Sequence, residues 1–125
     1  MQHADSHAEF KTIVAAAAAA KRLIVVDFSA KWCKPCVALM PFLMRTAAAH
    51  PNVVFVKIDV DENTATTNAY SVKAMPTLMF ILNNEAVHRI TGAKQADIYA
   101  AVIKFSATPE TTTATTATAT TVVKN

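Results

Sequence analysis

The apolar positions of this chain fall into two rhythms. Phe10, Ile13, Val14 and Ala17 recur at three- and four-residue steps, the spacing of one face of an α-helix. Ser6 with Glu9 three residues on matches a capping box, so this helix starts at Ser6, with Lys21 and Arg22 near its end, where cations suit the helix dipole. Leu23 to Phe28 is instead a nearly continuous apolar run, which predicts a strand covered on both faces, as in a parallel sheet. A second helix follows from about Cys33 to Ala49, with Val37, Met40, Leu43, Met44 and Ala47 as its core stripe and a kink at Pro41. Val53 to Asp59 reads as a second central strand. Asp61 is expected to cap a short helix over Asn63 to Tyr70.

Thr77 to Leu82 and Ala86 to Thr91 predict a hairpin about Asn83-Asn84-Glu85, where asparagine tolerates positive φ. Lys94 to Phe105 closes the pattern as a helix packing Ile98, Val102 and Phe105 inward, and residues 1 to 4 read as a short edge strand. Two strand–helix–strand units followed by a hairpin and a helix predict an α/β fold, a mixed five-stranded sheet flanked by four helices. Residues 107 to 121 are almost entirely Thr and Ala without an apolar face. The chain therefore divides into a domain over 1–106 and a low-complexity tail over 107–125, expected to be disordered or loosely extended.

Composition narrows the function by exclusion. A chain of 125 residues suffices for one domain with a real core and is too short for two. The net charge of +3 is modest and forms no long basic run, so nothing supports nucleic-acid binding. No stretch has the length of a membrane span, and the alanine run from Ala15 to Ala20 follows Asp5 and Glu9 rather than a basic cluster, unlike a signal peptide. The expected location is cytoplasmic and the expected state a monomer.

The chemistry concentrates in Trp32-Cys33-Lys34-Pro35-Cys36, which holds both cysteines of the protein at a strand-to-helix junction. A Cys-x-x-Cys pair there puts one sulfur at the helix N-terminus and the other about one turn inside. Unpaired N–H groups and the dipole favour negative charge, so Cys33 is expected to be the accessible thiolate and attacking sulfur, with Cys36 close enough to resolve a mixed disulfide. A structural zinc site wants four ligands. His3, His7, His50 and His88 lie in unrelated places, so no metal is expected and they read as solvated.

Several other residues admit two readings. Lys34 either faces solvent without effect or adds its charge to the helix terminus, attracting acidic targets. Pro35 stands early in the helix, where a missing N–H costs nothing. Trp32 is a core aromatic or part of a substrate rim. Asp27 is a strand-end carboxylate facing water or, if buried, a candidate acid/base for Cys36 with a raised pKa. Lys57, equally odd within Phe55-Val56-Lys57-Ile58, would offset part of its desolvation if the two strands are neighbours. Gly92, the only glycine, suggests a close backbone approach or a simple strand-end turn.

Val26-Asp27-Phe28-Ser29-Ala30-Lys31-Trp32-Cys33-Lys34-Pro35-Cys36 resembles the active-site segment of the thioredoxin family, and the resemblance continues through Phe55 to Asp61, Ala74-Met75-Pro76-Thr77 and Thr91-Gly92-Ala93. It covers roughly residues 1 to 105; one departure is Lys34-Pro35 where the family usually has Gly-Pro. The resemblance implies the thioredoxin fold and a protein-disulfide reductase that needs no bound cofactor. It further implies that Asp27 and Lys57 pair behind the site, and that a cis Met75–Pro76 bond faces the cysteines. Trp32, Lys34, Pro35, Met75, Pro76 and Gly92 would frame the substrate groove. Its partners would be disulfide-containing proteins and a thioredoxin reductase or equivalent electron donor. Two further readings remain at this stage, a non-catalytic binding module and a thiol oxidase or isomerase.

Overall fold

The structure is a computed structural model and describes residues 1–107. In chain order the elements are β1 (Gln2–His3), α1 (His7–Ala19), β2 (Ile24–Ser29), α2 (Lys34–Ala49), β3 (Val54–Asp59), α3 (Thr64–Ala69), β4 (Thr77–Leu82), β5 (Glu85–Thr91) and α4 (Gln95–Ser106). The strands form one sheet in the order β1-β3-β2-β4-β5. β1 and β2 run parallel to β3, whereas β4 is antiparallel to β2 and β5 antiparallel to β4. This is the mixed five-stranded sheet with four helices that the pattern predicts. The expected tail over 107–125 lies outside the described residues apart from Ala107.

Every residue of β2 is buried, as its nearly continuous apolar run predicts for a strand covered on both faces. On one face Ile24, Val26 and Phe28 pack with Val56 and Ile58 and with Phe10, Val14 and Ala17 of α1. On the other, Val25 and Phe55 pack with Leu39 and Leu43 of α2 and with Ile98 and Val102 of α4. Phe105, expected inside, is only partly buried at the edge of that second core. The odd-numbered positions of β2 thus face α2, and this decides where Asp27 points.

Local chemistry sets most boundaries. Ser6 Oγ accepts the Glu9 N–H at 3.1 Å, while the Glu9 carboxylate accepts the N–H of Asp5 at 2.8 Å, one residue before the usual capping-box partner. Asn83 and Asn84 turn the hairpin with φ of 53° and 71°. Arg22 does sit at the end of α1, where its N–H donates to the Ala17 carbonyl at 2.9 Å, but its guanidinium turns to another segment, Nε and Nη2 donating to the carbonyls of Asn52 and Pro51 at 2.9 and 2.8 Å. Two expectations need correction. Asp61 does not cap α3. Asn63 does, with Oδ1 accepting the Thr66 N–H at 3.2 Å and Nδ2 donating to the Ala4 carbonyl at 3.1 Å.

The second correction concerns α2. Its buried positions are Cys36, Leu39, Leu43 and Thr46, so Val37 and Met44 lie 60 % and 57 % exposed instead of in the core. Two apolar stripes about 100° apart fit the same periodicity, and the junction with β2 turns the Cys36 stripe inward. The helix runs on through Pro41, which has no N–H to donate within it. Among the described residues, no helix is long and apolar enough to cross a membrane.

Candidate active site

The parallel and antiparallel registers bring four connections to one end of the sheet. Ser29 stands beside Asp59, Phe28 beside Thr77, and Thr77 beside Thr91. The segment between β2 and α2, the start of the β3–α3 loop, the approach to β4 and the turn after β5 therefore meet there.

Cys33 ends the first of these. Its N–H donates to the Ala30 carbonyl at 3.1 Å and its carbonyl accepts the Val37 N–H at 3.1 Å, which seats it as the N-cap of α2. Its sulfur takes the role that an Asp or Ser oxygen plays at other helix starts, accepting the N–H of Cys36 at 3.2 Å. Lys34 and Pro35 form the exposed first turn. Cys33 and Cys36 are disulfide-bonded, with Cα atoms 5.3 Å apart. In this oxidised form Cys33 is 4 % exposed and Cys36 2 %. The expected accessibility of Cys33 is thus not met here: its sulfur is engaged by Cys36 and by the backbone of the helix it caps.

Trp32 lies on the rim, 65 % exposed, not in the core. Its indole Nε1–H donates to Asp61 Oδ2 at 2.9 Å, and Asp59 Oδ1 in turn accepts the Asp61 and Glu62 N–H groups at 2.9 and 3.3 Å. Lys31 Nζ bonds Glu62 Oε2 at 3.1 Å. Asp61 is the site residue that sequence reasoning misplaced. Its neighbourhood to Trp32 follows from strand pairing, so no local signal marked it.

Asp27 and Lys57 are aligned on the neighbouring parallel strands β2 and β3, which puts both side chains on the α2 face. Asp27 is 1 % exposed and Lys57 half-buried. Burial pushes the Asp27 carboxyl up from 3.8 to about 7, although the Lys57 ammonium pulls the other way. Among the described residues, neither Asp27 carboxylate oxygen has a hydrogen-bond partner. Lys57 and Cys36 line one small cavity of about 200 Å³, with Val37 and Met40 on its wall. A larger groove of about 440 Å³ between β5 and α4 holds none of the residues expected to carry or frame the chemistry, so size does not mark the site.

The Met75–Pro76 bond is cis, as the resemblance implies. Met75 is partly buried against the core cluster that contains both cysteines. The Pro76 carbonyl accepts the Gly92 N–H at 2.8 Å, tying the approach to β4 to the turn after β5. Gly92 has φ of 102°, and a Cβ there would meet only the Lys94 side chain, at 3.7 Å. Among the described residues, the backbone that approaches Gly92 is that of Pro76, through this hydrogen bond, and not the cysteine segment. Glycine is favoured because of its dihedral angle, which other residues adopt only with strain. Among the described residues, no group of three His, Cys, Asp or Glu side chains is placed to hold a metal ion.

A disulfide at the start of a helix, on the end of a mixed five-stranded sheet covered by four helices, defines a dithiol–disulfide oxidoreductase. The thioredoxin family model matches residues 2–105. A thioredoxin H-type 1 from Nicotiana tabacum is 44 % identical over 94 residues, covering 75 % of this chain and 74 % of that one. A thioredoxin from Ophiophagus hannah is 44 % identical over 87 residues, covering 70 % and 83 %. The solved structure of Fasciola hepatica thioredoxin superposes with a TM-score of 0.81 at 35 % identity, over 84 % of this chain and 99 % of that one. The chain belongs to the thioredoxin family, with Cys33 and Cys36 in the active-site position and the activity of a protein-disulfide reductase.

Proposed function

We propose that Cys33 attacks and Cys36 resolves. The Cys33 thiolate displaces one sulfur of a target disulfide, forming a mixed disulfide and releasing one target thiolate. The Cys36 thiolate then attacks the Cys33 sulfur, freeing the second target thiolate and closing the Cys33–Cys36 bond. The target gains two electrons and the dithiol loses two. A separate reductase, thioredoxin reductase or a functional equivalent, restores the dithiol.

The observation that carries this assignment is the Cys36 N–H directed at the Cys33 sulfur at 3.2 Å. The same N–H and the positive end of α2 stabilise a Cys33 thiolate and give Cys36 no comparable support. Lys34, at the first helical position, adds a positive charge beside it.

Asp27, with Lys57, is the acid/base that exchanges a proton with Cys36. Its raised value places the carboxyl near neutrality, where it both accepts and returns a proton. Trp32, Lys34, Pro35, Met75, Pro76 and Gly92 frame the groove for an extended target segment. Residues 1–106 act as the catalytic domain and residues 107–125 as an appendage. The protein works as a cytoplasmic monomer in electron transport and cell redox homeostasis.

The deciding experiment is reduction of a test protein disulfide with dithiothreitol as donor. Wild type should catalyse it, and Cys33→Ser should fall to the uncatalysed rate. Equal rates for the two would sink the assignment.

A further inference from the structure

We propose that this site selects target disulfides flanked by acidic residues, through the three cations Lys34, Lys73 and Lys94; the proposal rests on the reductase reading above. The sheet order places β3 on one side of β2 and β4 with β5 on the other. The charges around Cys33 divide along the same line. On the β3 side lie Asp59, Asp61 and Glu62, and each is engaged within the molecule. Asp59 accepts two backbone N–H groups, Asp61 holds the Trp32 indole, and Glu62 pairs with Lys31.

The other side differs. Lys73 precedes the Met75–Pro76 bond by two residues, and Lys94 follows Gly92 by two, its N–H donating to the Gly92 carbonyl at 2.9 Å. The Gly92–Pro76 hydrogen bond ties these two segments together. Lys34 adds a third cation at the start of α2. All three are exposed, and among the described residues none has an ion-pair or hydrogen-bonding partner for its ammonium group. The three carboxylates keep their charge but lie on the β3 side with Lys31, whereas the three cations have no carboxylate partner among the described residues and are available to a target. A target segment lying along the Pro76–Gly92 side meets an uncompensated positive rim, which attracts Asp and Glu and repels Lys and Arg.

The test uses the full chain and three disulfide probes with dithiothreitol as donor. Two are peptides identical except for Asp/Glu or Lys/Arg flanks, and the third is the small uncharged bis(2-hydroxyethyl) disulfide. At low salt, kcat/KM for the acidic peptide should exceed that for the basic one by about tenfold. The ratio should shrink towards one at 1 M salt, where screening acts over about 3 Å. Lys73→Glu with Lys94→Glu should invert the ratio. A ratio near one at low salt, or one unmoved by the double charge reversal, overturns the proposal. If wild type also fails to reduce the uncharged probe faster than Cys33→Ser does, the reductase reading itself has failed.

Discussion

Asp27 and Lys57 face each other across neighbouring parallel strands, yet no hydrogen bond joins the carboxylate to the ammonium. The carboxyl is buried, and desolvation outweighs the attraction of Lys57, so its value stands near 7 and not 3.8. The folded chain therefore holds a proton between about pH 4 and 7 that the unfolded chain releases. Stability falls as pH rises through that window, and the loss is complete above it.

Replacing Asp27 with Asn removes the charge while keeping the shape. The variant should exceed wild type in stability by about 2–4 kcal/mol at pH 8, with the difference vanishing near pH 4. Urea unfolding of the oxidised proteins at both pH values measures it. A gain independent of pH would show that the carboxylate's charge is not the cause. In turnover, the same variant should slow the Cys36 step and flatten the pH profile.

Cys36→Ser removes the proposed resolving sulfur and leaves the proposed attacking one in place. The variant should accumulate covalent adducts with disulfide proteins, separable on non-reducing gels, and Cys33→Ser should accumulate far fewer. In the reduced wild type, iodoacetamide at neutral pH should modify Cys33 well before Cys36. Alkylation of neither would mean that the burial seen in the disulfide form persists on reduction, and the attacking role would fall.

Gly92→Ala tests a dihedral angle in isolation, because the new methyl has room beside Lys94. With φ of 102° the substitution should destabilise by about 1–3 kcal/mol, read from the urea midpoint. A neutral result would return Gly92 to the rank of an ordinary turn residue.

Asn63→Ala removes a cap and a tether together. Its amide holds the start of α3 and the carbonyl of Ala4 after β1, and the side chain is 3 % exposed. Leaving both buried groups unpaired should cost about 2–3 kcal/mol by thermal or urea unfolding. Asp61→Ala should barely change stability, since it caps nothing, but should free the Trp32 indole and alter its fluorescence.

What the chain determines by itself is whatever repeats over one turn of helix or one pair of strand residues. The Cys33–Cys36 spacing, the Ser6 cap, the nearly continuous apolar run of β2 and the Asn83-Asn84 turn all work within a few residues. They were readable because their physics is local. Which side of α2 turns inward, which of Asp61 and Asn63 caps α3, and what holds Trp32 depend on groups outside their own segments of the chain. Periodicity fits two faces of α2 equally, and only packing against β2 and β3 chooses Leu39 over Val37. The raised carboxyl of Asp27 belongs to the same class, since burial and the nearness of Lys57 come from strand register and not from either residue's own segment. Tertiary structure alone sets the environment of a side chain, and environment is what turns a carboxylate into an acid at neutral pH.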